Sequence, residues 1–218
     1  MKTTLRITTL SLAASLVAGS SLPAGAALPG EVMQLEAARI VDKQHARHRS
    51  LQDDVRHRGI LILDNIYETT PVIRHQMTRA LRQYEKLTES LFAGETEGAD
   101  GAARNMVEAI REVPTDNLRD EGHRAWHQHV QLYERVLKEF QHESTLSAKR
   151  SYFAHLSEIV YCTVKSFGLG AELSNVYFCP MALEGKGAFW LSESDQIHNP
   201  YFGSAMAGCG EFRESLGP

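Results

Sequence analysis

The stretch Met77–Leu91, MTRALRQYEKLTESL, carries apolar side chains at 77, 81, 84, 87 and 91. Steps of four, three, three and four keep Met77, Leu81, Tyr84, Leu87 and Leu91 on one face of an α-helix, whereas a strand would scatter them over both faces. The residues between are mostly charged or polar, so the helix is amphipathic and needs partners to cover its stripe.

The partners follow along the chain. AGETEGADG, residues 93–101, holds three glycines and predicts a break. A second helix then turns Met106, Val107 and Ile110 inward and stops near Pro114. A third runs from about Leu118 to His142, where Trp126, Val130, Tyr133, Leu137 and Phe140 are spaced four, three, four and three. A fourth starts with Ser144 as its N-cap and carries Tyr152, Leu156, Ile159, Thr163 and Phe167 until Gly168-Leu169-Gly170 ends it. Short connections between amphipathic helices favour antiparallel neighbours, so the expected fold is mainly α, an up-down helical bundle. The chain of 218 residues, 43% hydrophobic, suits one such domain with an extension.

Upstream, the first residues read MKTTLRITTLSLAASLVAGSSLPAGAA. Lys2 and Arg6 form a basic head. The apolar run from Ile7 to Ala18 is too short to span a bilayer, and Ala24-Gly25-Ala26 fits a small-x-small cleavage site. Residues 1–26 are therefore expected to be a cleaved secretory signal, which puts the protein in the periplasm or outside the cell. No later stretch is apolar enough for a membrane span. Residues 27–71 form a His/Arg-rich extension with a weak helical stripe, and the bundle domain is expected over 72–218. Losing Lys2 and Arg6 makes the formal charge of -4 two units more negative, which argues against nucleic acid as a partner.

Downstream of Gly170 the character changes. Residues 171–212 are rich in glycine and aromatics and read as an irregular tail packed on the bundle. Val176–Cys179 and Ala188–Leu191 are two candidate strands of a short hairpin around Glu184-Gly185-Lys186-Gly187. Cys179-Pro180-Met181 and Met206-Ala207-Gly208-Cys209 place a Cys/Met pair at each end of this tail. Thiolates and thioethers are soft donors that select Cu(I) over harder divalent ions. Zinc fits less well, because no Cys-x-x-Cys occurs and methionine is not a usual zinc ligand. The competing reading is a Cys179–Cys209 disulfide, a staple worth about 3 kcal/mol in the chain-entropy model, with the methionines as gap-filling residues. The third cysteine, Cys162, lies on or near the buried stripe of the fourth helix. An odd count leaves at least one thiol outside any intramolecular pair. A redox-active dithiol is the weakest reading, again for want of a Cys-x-x-Cys.

Histidines offer less. His123 and His127 share a helix face at i and i+4, while His129 points elsewhere; all three read as a solvated face. His45, His48 and His57 in the extension are weaker candidates. His198 lies between the two Cys/Met pairs and reads as a surface-loop residue near them. Enzyme signatures are scarce: Glu184-Gly185-Lys186-Gly187 is not a phosphate-binding loop, no Gly-x-Ser-x-Gly occurs, and no carboxylate pair stands out. A non-enzymatic function is expected.

The run Cys179-Pro180-Met181-Ala182, Gly187 with Trp190-Leu191-Ser192, Asn199-Pro200-Tyr201-Phe202-Gly203, and Met206 with Cys209-Gly210 resembles a bacterial family catalogued as domain of unknown function 3347. The resemblance spans the region from about Val72 through the tail. It implies a secreted helical domain of a kind also found fused to periplasmic adaptors of heavy-metal efflux pumps. Copper handling outside the cytoplasm follows as an expectation, with Cys179, Met181, Met206 and Cys209 as the ligands and an efflux adaptor or another envelope protein as partner. Trp190 is expected to shield the site.

Overall fold

Helix α1, Pro71–Ala93, begins where Thr70 Oγ1 accepts the Ile73 N–H and Pro71 takes the first helical position. It ends at Gly94, whose φ of +80° is the left-handed conformation glycine adopts without a Cβ penalty. Its stripe is buried as expected: Met77, Leu81, Tyr84, Leu87 and Leu91 are all at most 2% exposed. In this computed structural model residues 67–169 and 175–216 are described. The expected signal over 1–26 and the His/Arg-rich extension up to residue 66 lie outside them.

Helix α2, Thr96–Arg111, starts earlier than the three glycines suggest. Gly98 and Gly101 lie inside it. A Cβ at Gly98 would sit 2.9 Å from Ser90 Oγ of α1, so the glycine that reads as a breaker instead permits the close approach of two helices. Packing overrides a propensity cost of about 1 kcal/mol. A 3₁₀ turn at Thr115–Asn117 leads to α3, Asp120–His142, whose first turn holds Asp120 and Glu121 at the positive end of the helix dipole. Helix α4, Leu146–Phe167, is capped by Thr145, whose Oγ1 accepts the Ala148 N–H, and not by the neighbouring Ser144. Gly168, at φ +66°, ends it. Helix α1 packs on α2, α2 on α3, α3 on α4, and α4 returns to α1.

Two polar clusters are buried in this bundle. Lys149 is 1% exposed; its ammonium donates to Asp100 and to the Phe140 carbonyl and lies over the Phe140 ring. His129 is buried too, which corrects the solvated reading for this one histidine. Its Nδ1 lies 2.7 Å from Thr163 Oγ1, which also meets the Tyr133 hydroxyl and donates its own proton to the Ile159 carbonyl. That single hydroxyl proton is committed, so His129 Nδ1 is the donor. Burial lowers its pKa to about 4.

The tail is more regular than expected. Strands β1, Asn175–Cys179, and β2, Ala188–Ser192, form the expected antiparallel pair, and an unexpected third strand, β3, Glu211–Ser215, pairs with the other edge of β1. The order is β2-β1-β3, with β1 central. β2 lies against α4 and α1. Tyr84 on α1, itself bonded to Ser157 on α4, accepts the Leu191 N–H at 3.2 Å. On the other edge, Glu214 of β3 accepts from the Tyr161 hydroxyl and from Lys165 Nζ, both on α4.

Glu85 on α1 grips the end of β2. Its Oε1 accepts from Ser192 Oγ at 2.9 Å and from the Glu193 N–H at 3.4 Å. Its Oε2 is buried and meets no hydrogen-bond donor among the described residues. Desolvation chiefly, with the nearby charges of Glu193 and Glu89, pushes its pKa from 4.5 up to about 7 against the pull of those two hydrogen bonds. A carboxyl whose folded pKa is raised binds more protons in the native state than in the unfolded one between these two values, so stability falls as pH rises through this window. We expect the unfolding free energy from urea titrations to drop by about 3 kcal/mol between pH 4.5 and pH 7.5 through this group. Glu85→Gln, which keeps the acceptor for Ser192 and Glu193, is expected to abolish that component; an unchanged pH slope in the variant contradicts it.

Candidate functional site

Cys179 is the last residue of the central strand, fully buried, and opposite Ala188 of β2. Beyond it the chain turns back through the expected Glu184–Gly187 region to β2. It runs through an eight-residue connection, 180–187, in which Leu183, Glu184 and Gly185 take φ of 52°, 60° and 82°. Left-handed geometry costs a non-glycine residue about 1–2 kcal/mol. Leu183 packs against the core, which offsets part of that cost. Gly187, at φ +79°, has the Phe178 ring 2.3 Å from where a Cβ would stand. The strand-end cysteine is thus followed by a backbone that only this packing and these glycines sustain.

Cys209 arrives from the other direction. After β2 the chain reaches Asn199, whose Oδ1 accepts the N–H groups of Tyr201 and Phe202 in an Asx turn. A 3₁₀ turn, Gly203–Met206, follows, and the Cys209 N–H closes on the Met206 carbonyl at 3.0 Å. Gly203 lies against α1: its Cβ would stand 2.6 Å from the Phe92 carbonyl oxygen. At Gly210 a Cβ would stand 2.7 Å from the Trp190 ring, so the Cys209–Gly210 backbone rests directly on that fully buried indole. Trp190 is itself held between Tyr177 and Tyr201.

The two cysteines, thirty positions apart in sequence, meet with Sγ atoms 3.2 Å apart. Both are free thiols. A disulfide needs about 2.05 Å. Two thiolates on one tetrahedral ion with metal–sulfur bonds of about 2.3 Å stand about 3.8 Å apart. The observed separation lies between these, within reach of either by a small side-chain rotation. The Cys209 pKa is raised, first by the hydrogen bond with Cys179, then by burial and by the charges of Cys179 and Glu211. A proton shared between the sulfurs is lost when a cation takes its place.

The remaining sequence candidates separate clearly. Met181 is 55% exposed and Met206 37% exposed, so both methionines lie at the surface as chain neighbours of the cysteine pair. His198 is exposed and stacked on Phe92 of α1, with ring centroids 4.7 Å apart. His123 and His127 are exposed on α3. Cys162 is fully buried in α4, and its thiol is pushed up to about 12, mainly by desolvation, with the Glu158 charge adding to it; it is a structural thiol. No group of three or more His, Cys, Asp or Glu side chains able to hold a metal occurs among the described residues. Asn199 is the residue that sequence reading left without a role. Its signal was local: an asparagine before Pro200 in a loop favours an Asx turn.

Comparison with known proteins gives one match. A family model described as "Protein of unknown function (DUF3347)" matches residues 80–172, from within α1 to just beyond α4. The resemblance to that family is therefore a resemblance of the helical bundle; the match ends before Cys179. No curated protein and no solved structure matches the chain.

The three thiols are expected to differ in reactivity. In the reduced native protein Cys209, half-buried, is expected to react first with a chromogenic disulfide reagent, and Cys162 only after unfolding. Cysteine-resolved mass spectrometry of partly labelled protein checks the order, and Cys162 labelling ahead of Cys209 contradicts the assignment.

Proposed function

We propose that this protein binds a soft metal ion, Cu(I), in the periplasm or outside the cell, as a carrier or sequestering module and not as an enzyme. Cys179 and Cys209 supply thiolates, and Met181 and Met206 supply thioethers. The observation that carries this reading is the 3.2 Å approach of two free thiols from opposite ends of the tail, each with a surface methionine within three residues along the chain. Sulfur donors favour Cu(I), and neutral thioethers bind without deprotonation. Cys179 is buried and fixed while Cys209 and both methionines are reachable, an arrangement that leaves one side of a bound ion open to an exchanging partner. An efflux adaptor or another envelope protein is the partner this reading calls for.

The same separation favours a second reading: a Cys179–Cys209 disulfide that staples the sheet to its loop, in a protein-interaction domain docking on an envelope partner. The two readings differ in what the reduced protein does. Titration with Cu(I) against a chromophoric chelator is expected to show tight one-to-one binding to the reduced chain and its loss in the Cys179→Ser/Cys209→Ser double variant. Met181→Leu and Met206→Leu are expected to weaken binding without abolishing it. Weak binding that is equal in wild type and double variant overturns the metal reading and leaves the staple.

A further inference from the structure

We infer that Asn199 is the positioning residue that brings Cys209 to Cys179. Cys179 needs no such help, since β1 is the central strand and its last residue is buried. The distance between the sulfurs therefore depends on where the loop puts Cys209. Asn199 is 0% exposed, although it sits in a loop. It uses every polar group it has. Its N–H donates to the Ala207 carbonyl at 3.2 Å, and its carbonyl accepts the Gly203 N–H at 2.9 Å. Its Oδ1 accepts from Tyr201 N at 2.8 Å and Phe202 N at 3.3 Å. Its Nδ2 donates to the Cys209 carbonyl at 2.6 Å.

The two ends of this one side chain do separate work. The oxygen shapes the turn at 199–202, and the amide nitrogen pins the backbone of Cys209. Aspartate supplies the first function and not the second, because it lacks a donor and sets a carboxylate against the Cys209 carbonyl. Asparagine is therefore the side chain that fits both at this position.

The inference rests on reading the Cys179–Cys209 pair as the functional site, but its test uses no metal. The reduced mature chain is equilibrated with mixtures of glutathione and glutathione disulfide. Oxidation forms the Cys179–Cys209 sulfur–sulfur bond and passes two electrons and two protons to glutathione disulfide, whose own bond breaks to give two thiols. The equilibrium ratio measures the effective concentration of one cysteine at the other. Asn199→Asp is expected to lower it about tenfold, the effect of losing one buried hydrogen bond and leaving its acceptor unpaired. Thr163→Val, which removes the buried hydroxyl between α3 and α4, serves as the comparison: it is expected to lower the unfolding temperature and to leave the effective concentration unchanged. An unchanged value in Asn199→Asp, or an equal fall in Thr163→Val, overturns the positioning role. Loss of the helical circular dichroism signal in both Asn199→Asp and Asn199→Ser assigns Asn199 to the stability of the whole fold and overturns it too. Absence of Cu(I) binding by the wild type removes the metal reading and leaves this result standing.

Discussion

Cys179 cannot move. It ends a strand flanked on both sides, it is fully buried, and the connection after it is held in left-handed turns. Any chemistry that needs a second sulfur must bring that sulfur to it. The rest of the tail satisfies this constraint. β2 is pinned to α1 through Tyr84 and Glu85, and Tyr84 is bonded in turn to Ser157 of α4; the loop is clamped at Asn199; Gly210 lets the chain lie flat on the Trp190 ring. The helical bundle is the platform, and the small sheet is the device that turns a sequence separation of thirty residues into a contact.

Platform and sheet are joined by buried polar bonds as well as by apolar packing. The Tyr84 hydroxyl, the Glu85 carboxyl and the Glu214 carboxylate each cross from helix to sheet. Such bonds contribute only about 1 kcal/mol each on balance, but leaving one buried group unpaired costs more. They therefore fix the register of the sheet on the helices more than they raise stability. A one-residue slip of β1 would turn Cys179 to the other face and remove it from Cys209 altogether.

The helices are legible because burial imposes a period: every residue of the expected stripes of α1 and α4 is buried, although α4 also buries Lys149, Phe153, His155, Val160 and Cys162 on its other faces, and both left-handed caps, Gly94 and Gly168, fall at glycines. What failed had local causes. Gly98 reads as a breaker by propensity, yet the close contact with Ser90 requires it. His129 reads as polar surface, yet it falls three residues after Trp126 and four before Tyr133, on the buried side, where Thr163 satisfies it. Strand β3, Glu-Phe-Arg-Glu-Ser, is exposed except at Glu214, so no apolar alternation announces it. Within the site, residue type marked Cys179 and Cys209, since sulfur chemistry is written in composition. Their contact was not legible, because it depends on three-dimensional closure through Asn199 and Trp190. Nor was the exposure of Met181 and Met206.

Burial on one side and access on the other give the sulfur pair an asymmetry suited to holding an ion and then giving it up. Ligand identity is the heart of that proposal. The most direct measurement is X-ray absorption at the copper edge on the reduced protein loaded with one equivalent of Cu(I). The account expects a first shell of sulfur alone, reduced in sulfur number when Cys209 is replaced by serine. A first shell containing nitrogen or oxygen in the wild type, or one indifferent to that replacement, would place the metal elsewhere and contradict it.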